Sequence, residues 1–324
     1  MTSTGNPAER DSGLRGYLAF PGLLDELRNE LLLSGHAASE FEIHGELVIV
    51  RGLLEAPIWS RNTWKSVERL SFQSISDATR KLKALGLRWA LYPHQHHRRA
   101  QLIAEGLNTP RSALLKFPEV LVLPEPLPKK ALGSWMMVTE NEILASVHCS
   151  QTIANGDVLF DEDRETAPTR AYLKLWEAFT RLGRAPESGE HCIDLGSCPG
   201  GWTWVIASLG AQVVSVDRSE LEAKIAALPQ VKFIQGNAFT LDPRQFKRMD
   251  WIFSDVICAP EKLLELVHHW MTIHPLAHYV CTIKFKGETD YPTMKKFLEI
   301  PDSSIMHLTH NKHEVTWVRL SPRV

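Results

Sequence analysis

No apolar run in this 324-residue sequence approaches the length of a membrane span. The opening Met1-Thr-Ser-Thr-Gly-Asn-Pro7 has none of the apolar core of a signal peptide. Cysteine is scarce. The five (Cys149, Cys192, Cys198, Cys258 and Cys281) show no paired spacing, and several sit in apolar stretches. That argues against a disulfide frame or a zinc cluster and suits a reducing, cytoplasmic setting. Internal repeats and low-complexity tracts are missing too. With 44% hydrophobic and 23% charged residues, the composition is that of an ordinary soluble globular protein, long enough for two domains.

Neither sign of charge dominates, since the formal net charge is −2, but the charges are unevenly spread. Residues 51–130 hold 14 Lys/Arg against 6 Asp/Glu, and the remainder 22 against 32. A basic segment in a near-neutral chain points to a polyanionic partner or to a plain solvated face. Leu14 to Leu33 carries leucines at helical spacing and is expected to be a helix. Phe41 to Val50 alternates like a strand, 74–85 and 98–106 read as helices, and 134–139 and 142–148 as a hairpin about Glu140-Asn141. Residues 1–155 thus read as a small α+β domain. An acidic, turn-rich stretch at 156–168 reads as a linker.

From 169 to 324 strands and helices alternate: helix 170–183, strand 191–195, helix 202–209, strand 212–216, helix 219–227 and strand 231–234. Strand 250–254, helix 260–271, strand 278–285 and helix 292–299 follow, and two strands, 304–309 and 314–320, close the chain. This is the pattern of an α/β domain with a doubly wound, mainly parallel, Rossmann-like sheet and a C-terminal antiparallel hairpin. Its most informative passage is Asp194-Leu-Gly-Ser-Cys-Pro-Gly-Gly-Trp202, a strand end, a glycine-rich turn and a helix start. Glycines there let the backbone approach a ligand where a Cβ would clash. Asp217 ends the next strand, roughly twenty residues on, where an acidic side chain can bond a ribose. The pattern implies a nucleoside-containing cofactor.

In such sheets ligands collect at the carboxyl ends of the strands. The strand tips deliver the 196–201 loop, Asp217, Asn237 with Ala238 and Phe239, Asp255, and Lys284. Lys174 falls off the apolar stripe of helix 170–183 and can face the cleft, and Glu314 opens the last strand. Two lysines and two carboxylates are expected to converge.

Arg170-Ala-Tyr-Leu-Lys174, Asp194 to Trp202, Ser254-Asp255, Ile283-Lys284-Phe-Lys-Gly287 and His313-Glu314-Val resemble the FtsJ-type ribose 2′-O-methyltransferases of RNA. The Cys-Pro-Gly-Gly-Trp spelling and the extra N-terminal domain are most similar to the RlmM type, which methylates a cytidine ribose in 23S ribosomal RNA. The resemblance spans about Thr166 to Leu320. It implies S-adenosylmethionine as cofactor, large-subunit ribosomal RNA as partner, no metal, and a catalytic Lys-Asp-Lys-Glu tetrad at Lys174, Asp255, Lys284 and Glu314. It also implies cofactor contacts from Thr169, Gly196, Ser197, Cys198, Pro199, Gly200, Gly201, Trp202, Asp217, Asn237, Ala238 and Asp255. The family often has Asp where this chain has Asn237, and a neutral amide still bonds adenine. Lys284 is expected to accept the proton of a ribose 2′-hydroxyl, with Asp255 orienting it and Glu314 holding Lys174. An ordinary lysine is protonated at neutral pH, so a lysine base needs desolvation or a second ammonium beside it.

Plainer readings stand beside these. Asp217 also fits a helix N-cap, Trp202 a core aromatic, and Cys198 a small residue in a tight loop. His307, His310 and His313 straddle a turn and make a poor metal set. In the basic segment Arg88, Arg98, Arg99, Arg111 and Lys116 are candidate RNA contacts. A dinucleotide oxidoreductase is disfavoured because the loop is Gly-x-x-Pro-Gly-Gly, not Gly-x-Gly-x-x-Gly. A small-molecule or protein methyltransferase leaves the basic segment unexplained. A non-catalytic or differently targeted RNA-binding relative that still holds S-adenosylmethionine is the remaining alternative.

Overall fold

The structure is a computed structural model that describes residues 13–52, 57–107 and 120–322. The chain divides into two compact units, Met1–Glu119 with Leu127–Val158, and Val120–Pro126 with Leu159–Val324.

The first unit holds two four-stranded sheets. One has the order β2-β3-β1-β4, from β1 (Leu14–Ala19), β2 (Glu42–His44), β3 (Leu47–Arg51) and β4 (Ser60–Trp64). The other has the order β5-β8-β7-β6, from β5 (Glu68–Ser71), β6 (Trp89–Leu91), β7 (Gly133–Thr139) and β8 (Glu142–Ser146). Helices α1 (Leu24–Leu33), α2 (Ile75–Leu85) and α3 (His97–Leu107) belong to the same unit. The apolar faces of α2 and α3 (Ala78, Leu82, Ala100, Ile103) bury Trp135, Met137 and Ile143 of the second sheet.

Two sequence expectations need correction here. Leu14 to Leu33 is not one helix. Gly16 lies close against Ile49 and Trp64 as a strand residue, and Pro21-Gly22 breaks the chain before the helical leucines take over. Phe41 to Val50 is two antiparallel strands, because Gly45 takes φ +61° and turns the chain. The hairpin about Glu140-Asn141 forms as expected.

The second unit is a seven-stranded sheet in the order β11-β10-β9-β12-β13-β15-β14. Its strands are β9 (His191–Leu195), β10 (Gln212–Asp217), β11 (Val231–Gln235), β12 (Trp251–Ser254), β13 (His278–Lys284), β14 (Ser303–Met306) and β15 (Glu314–Arg319). The first five run parallel, and β15 and β14 add an antiparallel edge. Helices α4 (Tyr172–Leu182), α5 (Gly201–Ser208), α6 (Ala223–Ala226), α7 (Pro260–Ile273) and α8 (Tyr291–Leu298) connect or flank them. This is the doubly wound, mainly parallel α/β architecture expected from the alternation. Helix 219–227 shrinks to the four residues of α6, since Asp217 and its neighbours spend their hydrogen bonds in a loop. Aromatic packing glues α4 to the sheet: Phe179 meets Trp251 and Phe253 edge-on, and Tyr172 and Trp176 cluster with Trp204. Strand order reverses between β9 and β12. That reversal is the crevice where open α/β sheets bind ligands.

Candidate functional site

A cleft of about 410 Å³ lies at that crevice, within the range of small-molecule sites. Gly196, Cys198, Asp217, Asn237, Ala238 and Phe239 line one part of it, and Asp255, Val256, Ile257 and Lys284 another. Gly196 (φ +83°) and Gly200 (φ +119°) hold the loop in the left-handed region that favours glycine. A Cβ on Gly196 would lie 2.8 Å from the Val256 Cα, so the loop packs against the segment after β12 with no room for a side chain.

Three buried polar atoms on or beside this loop have no partner: Asp194 Oδ1, Ser197 Oγ and Thr169 Oγ1. Thr169 Oγ1 lies 2.9 Å from where a Gly201 Cβ would stand. Unsatisfied buried groups are costly, and a polar ligand seated at this loop would pair them. Asp194 stands at the head of this loop and was not among the expected contacts. A lone acid inside an otherwise apolar strand was the available signal. It is fully buried, and Thr203 Oγ1 donates to its Oδ2 at 2.7 Å. Burial pushes its carboxyl up to about 7, against the opposing pull of the Thr203 hydroxyl.

Asp217 braces the loop. Its Oδ2 accepts the Cys198 N–H at 3.0 Å and its Oδ1 the Ser219 N–H at 2.9 Å. Since α6 starts at Ala223, Asp217 is not a helix cap. Asn237 Oδ1 accepts the Phe239 N–H at 3.1 Å, a local turn that leaves the amide NH₂ available to a ligand.

The charged cluster follows from strand register. Lys284 and Glu314 are opposite partners in β13 and β15, and Ser254 pairs with Leu195 and Cys281, so Asp255 emerges at the same rim. Lys174 comes from α4, buried although it lies off the apolar stripe. Its Nζ donates to Asp255 Oδ1 and Oδ2, both at 2.9 Å, and to Glu314 Oε1 at 3.1 Å. Lys284 Nζ donates to the Asp255 backbone oxygen at 2.7 Å and lies 3.1 Å from Asp255 Oδ1. All four side chains therefore gather in one network, with Asp255 bridging both lysines rather than orienting Lys284 alone. Burial by itself would neutralise Lys174, but Asp255 and then Glu314 outweigh it and hold the ammonium above its ordinary range. Likewise burial would raise the Asp255 carboxyl, but Lys174 and then Lys284 outweigh it and hold it below the usual carboxylate range.

Trp202 is buried beneath this network. Its Nε1 donates to the Ala171 oxygen at 3.0 Å, and its ring lies 5.9 Å from Lys174 Nζ. Cys198 is an exposed free thiol pushed up by burial of the sulfur and by Asp217, which disfavours a thiolate nucleophile. Pro199 and Ala238 sit in the loops as expected, Pro199 accepting the Glu222 N–H through its oxygen. His307 Nε2 lies 3.0 Å from the Lys312 oxygen, and no group of three or more His, Cys, Asp or Glu among the described residues is arranged to hold a metal ion.

Three of the RNA candidates of the first unit lie among the described residues. Arg88 Nη1 donates to the oxygens of Lys130 and Ala131, at 2.9 and 3.3 Å. Arg99 stacks 5.4 Å over Phe72, and Arg98 is exposed on α3. Arg111 and Lys116 lie outside the described residues. No helix among the described residues is long and apolar enough to cross a membrane.

Residues 167–297 match the FtsJ-like methyltransferase family. A ribosomal RNA large subunit methyltransferase M of Pseudoalteromonas atlantica is 30% identical over 168 residues, covering 46% of this chain and 47% of the relative. One from Idiomarina loihiensis is 27% identical over 226 residues, covering 64% and 60%. The chain thus spans about half the length of the curated relatives it matches. Among solved structures, a ribosomal RNA methyltransferase of Plasmodium falciparum superposes with TM-score 0.38 at 19% identity, over 47% of this chain and 97% of its own.

Proposed function

We propose that the second unit transfers a methyl group from S-adenosylmethionine to a ribose 2′-hydroxyl of RNA, with large-subunit ribosomal RNA as the substrate. The ribosomal RNA methyltransferases among the relatives support the RNA class, and the FtsJ-like match supports methyl transfer.

The observation that carries the ribose chemistry is a count of donors. An ammonium has three N–H groups and a neutral amine two plus a lone pair. Lys174 faces three carboxylate oxygens and fills them as an ammonium. Lys284 faces two acceptors among the described residues, the backbone oxygen and Oδ1 of Asp255. Once deprotonated it still satisfies both and offers a lone pair to a third group. Lys284 is therefore the base that takes the 2′-hydroxyl proton, and Lys174 is the fixed cation that holds Asp255 and Glu314 in place.

The 196–202 loop, Asp217, Asn237, Ala238 and the orphaned polar atoms of Thr169, Asp194 and Ser197 would hold the cofactor, with Asp217 on its ribose. S-adenosylmethionine supplies an electrophilic methyl group when bound. The residues around the cleft then contribute alignment, and alignment of two reactants is worth about 7–11 kcal/mol in well-oriented systems. Mass-spectrometric mapping of ribose methylation in total RNA, with and without this protein, tests the proposal. A protein-dependent 2′-O-methyl nucleotide is expected, and methylation only of bases or of small molecules would overturn it.

A further inference from the structure

Glu177 lies one helical turn beyond Lys174 on α4 and is fully buried. Arg181 Nε donates to its Oε1 at 2.8 Å and Nη2 lies 2.7 Å away. Its Oε2 accepts the backbone N–H of Thr309 at 2.8 Å, and its Oε1 accepts the Thr309 hydroxyl at 3.2 Å. Thr309 belongs to the 307–313 connection between β14 and β15, five residues ahead of Glu314.

That connection is tied to itself and to β15. The Asn311 N–H donates to the Leu308 oxygen at 2.9 Å, His307 Nε2 meets the Lys312 oxygen at 3.0 Å, and Asn311 Nδ2 donates to Thr316 Oγ1 at 3.2 Å. Holding Thr309 therefore holds Glu314. The result is a closed ring: the Lys174–Glu314 ion pair joins α4 to β15 on one side, and Glu177–Thr309 joins α4 to the preceding connection on the other.

A buried ion pair gains little over an apolar pair of equal volume, so stability alone does not account for Glu177 and Arg181. Registry does. Lysine is a flexible side chain, and a misplacement of about 1 Å at a catalytic group costs on the order of 100-fold in rate. We propose that Glu177 is a positioning residue for the methyl-transfer site, fixing the spacing between α4 and β15 so that the Lys174 ammonium stays seated between Glu314 and Asp255. This rests on the reading of the cleft as a methyl-transfer site.

The test compares two double variants that remove the ion pair together and so leave no unpaired buried charge. In one, Glu177→Met and Arg181→Met, nothing accepts the Thr309 N–H. In the other, Glu177→Gln and Arg181→Met, the amide oxygen still can. The Met pair is expected to lose about 10- to 100-fold in kcat, with the cofactor Kd changed less than about threefold. The Gln variant should recover to within about fivefold of the unmodified protein. Acetylation of Lys174, read by peptide mass mapping, should speed up in the Met pair alone. Thr309→Val, which removes only the hydroxyl, gives a mild companion with about a two- to fivefold loss in kcat at unchanged cofactor affinity.

Full turnover with a sheltered Lys174 in the Met pair would overturn the proposal. So would equal losses in the Met and Gln variants, or no loss in Thr309→Val. If the unmodified protein methylates no ribose, the reading of the site fails, and the Lys174 labelling still decides whether Glu177 seats that side chain.

Discussion

Replacing Lys174 with methionine removes the charge that holds the cluster together while keeping the length of the side chain. Asp255 keeps Lys284 3.1 Å from its Oδ1, but Glu314 loses its ion-pair partner, and both carboxylates are largely buried. Breaking a buried pair by deleting one member costs about 3–5 kcal/mol. Since Asp255 stays partly compensated, about 3 kcal/mol is expected, or roughly 6–12 °C in melting temperature for a unit of this size. The sign with pH follows from the two shifts. Asp255 is held below the carboxylate range, so its contribution is present above that range and lost as pH falls through the folded value. Lys174 is held above the lysine range, so its contribution is complete below that range and lost as pH rises through the folded value. The gap between the two proteins should therefore be widest from about pH 5 to 9 and start to shrink only as pH falls below about 4. Urea denaturation at pH 7.5 and at the lowest pH where both stay folded measures it. Equal stability at pH 7.5, or a gap independent of pH, would refute the reasoning about this network.

Asp217→Ala removes the acceptor of two loop N–H groups and the proposed ribose contact, so cofactor Kd should rise at least about tenfold. Calorimetric titration showing unchanged affinity would move the ribose contact elsewhere. Asp194→Asn relieves a buried carboxyl whose value stands near 7 instead of 3.8. Because the folded value is raised, the unmodified protein loses stability as pH rises from about 4 to 7. The asparagine variant should escape that loss and gain up to ~4 kcal/mol at pH 8, with the gain gone below pH 4; a gain that persists in acid would point to another cause. Gly196→Ala forces a Cβ to 2.8 Å from the Val256 Cα at φ +83°, so a loss of at least about 2 kcal/mol and weaker cofactor binding are expected. A variant with native melting temperature and affinity would show that the loop has slack.

What was legible in the sequence was periodic or sat at a strand tip. The strand–helix alternation carries the parallel sheet. Counting residues to each strand end brings Asp217, Asp255 and Lys284 to one rim, and the closing hairpin sets Glu314 opposite Lys284. The helical spacing of Leu23, Leu24, Leu27 and Leu31 was read too far back: it holds for Leu24–Leu33, whereas Leu14–Ala19 is a strand in which Gly16 admits the close neighbours Ile49 and Trp64. Strand β4, Ser60-Arg-Asn-Thr-Trp64, looks polar and went unread, because the groups that satisfy it are remote in sequence. Arg61 pairs with Asp157 and Glu46, and Asn62 accepts from Ser150 and Gln151. Glu177 escaped for the same reason, since its partner Thr309 is 132 residues away. Local pattern cannot report a hydrogen bond across that separation.

The measurement that bears most directly on the central claim is single-turnover methyl transfer by Lys284→Ala alongside its equilibrium binding of S-adenosylmethionine. Loss of the base, with the loop residues that would hold the cofactor unchanged, should lower transfer by at least about 100-fold while the cofactor Kd stays within about threefold. Transfer within tenfold of the unmodified protein, or loss of cofactor binding in step with activity, would contradict Lys284 as the group that takes the ribose proton.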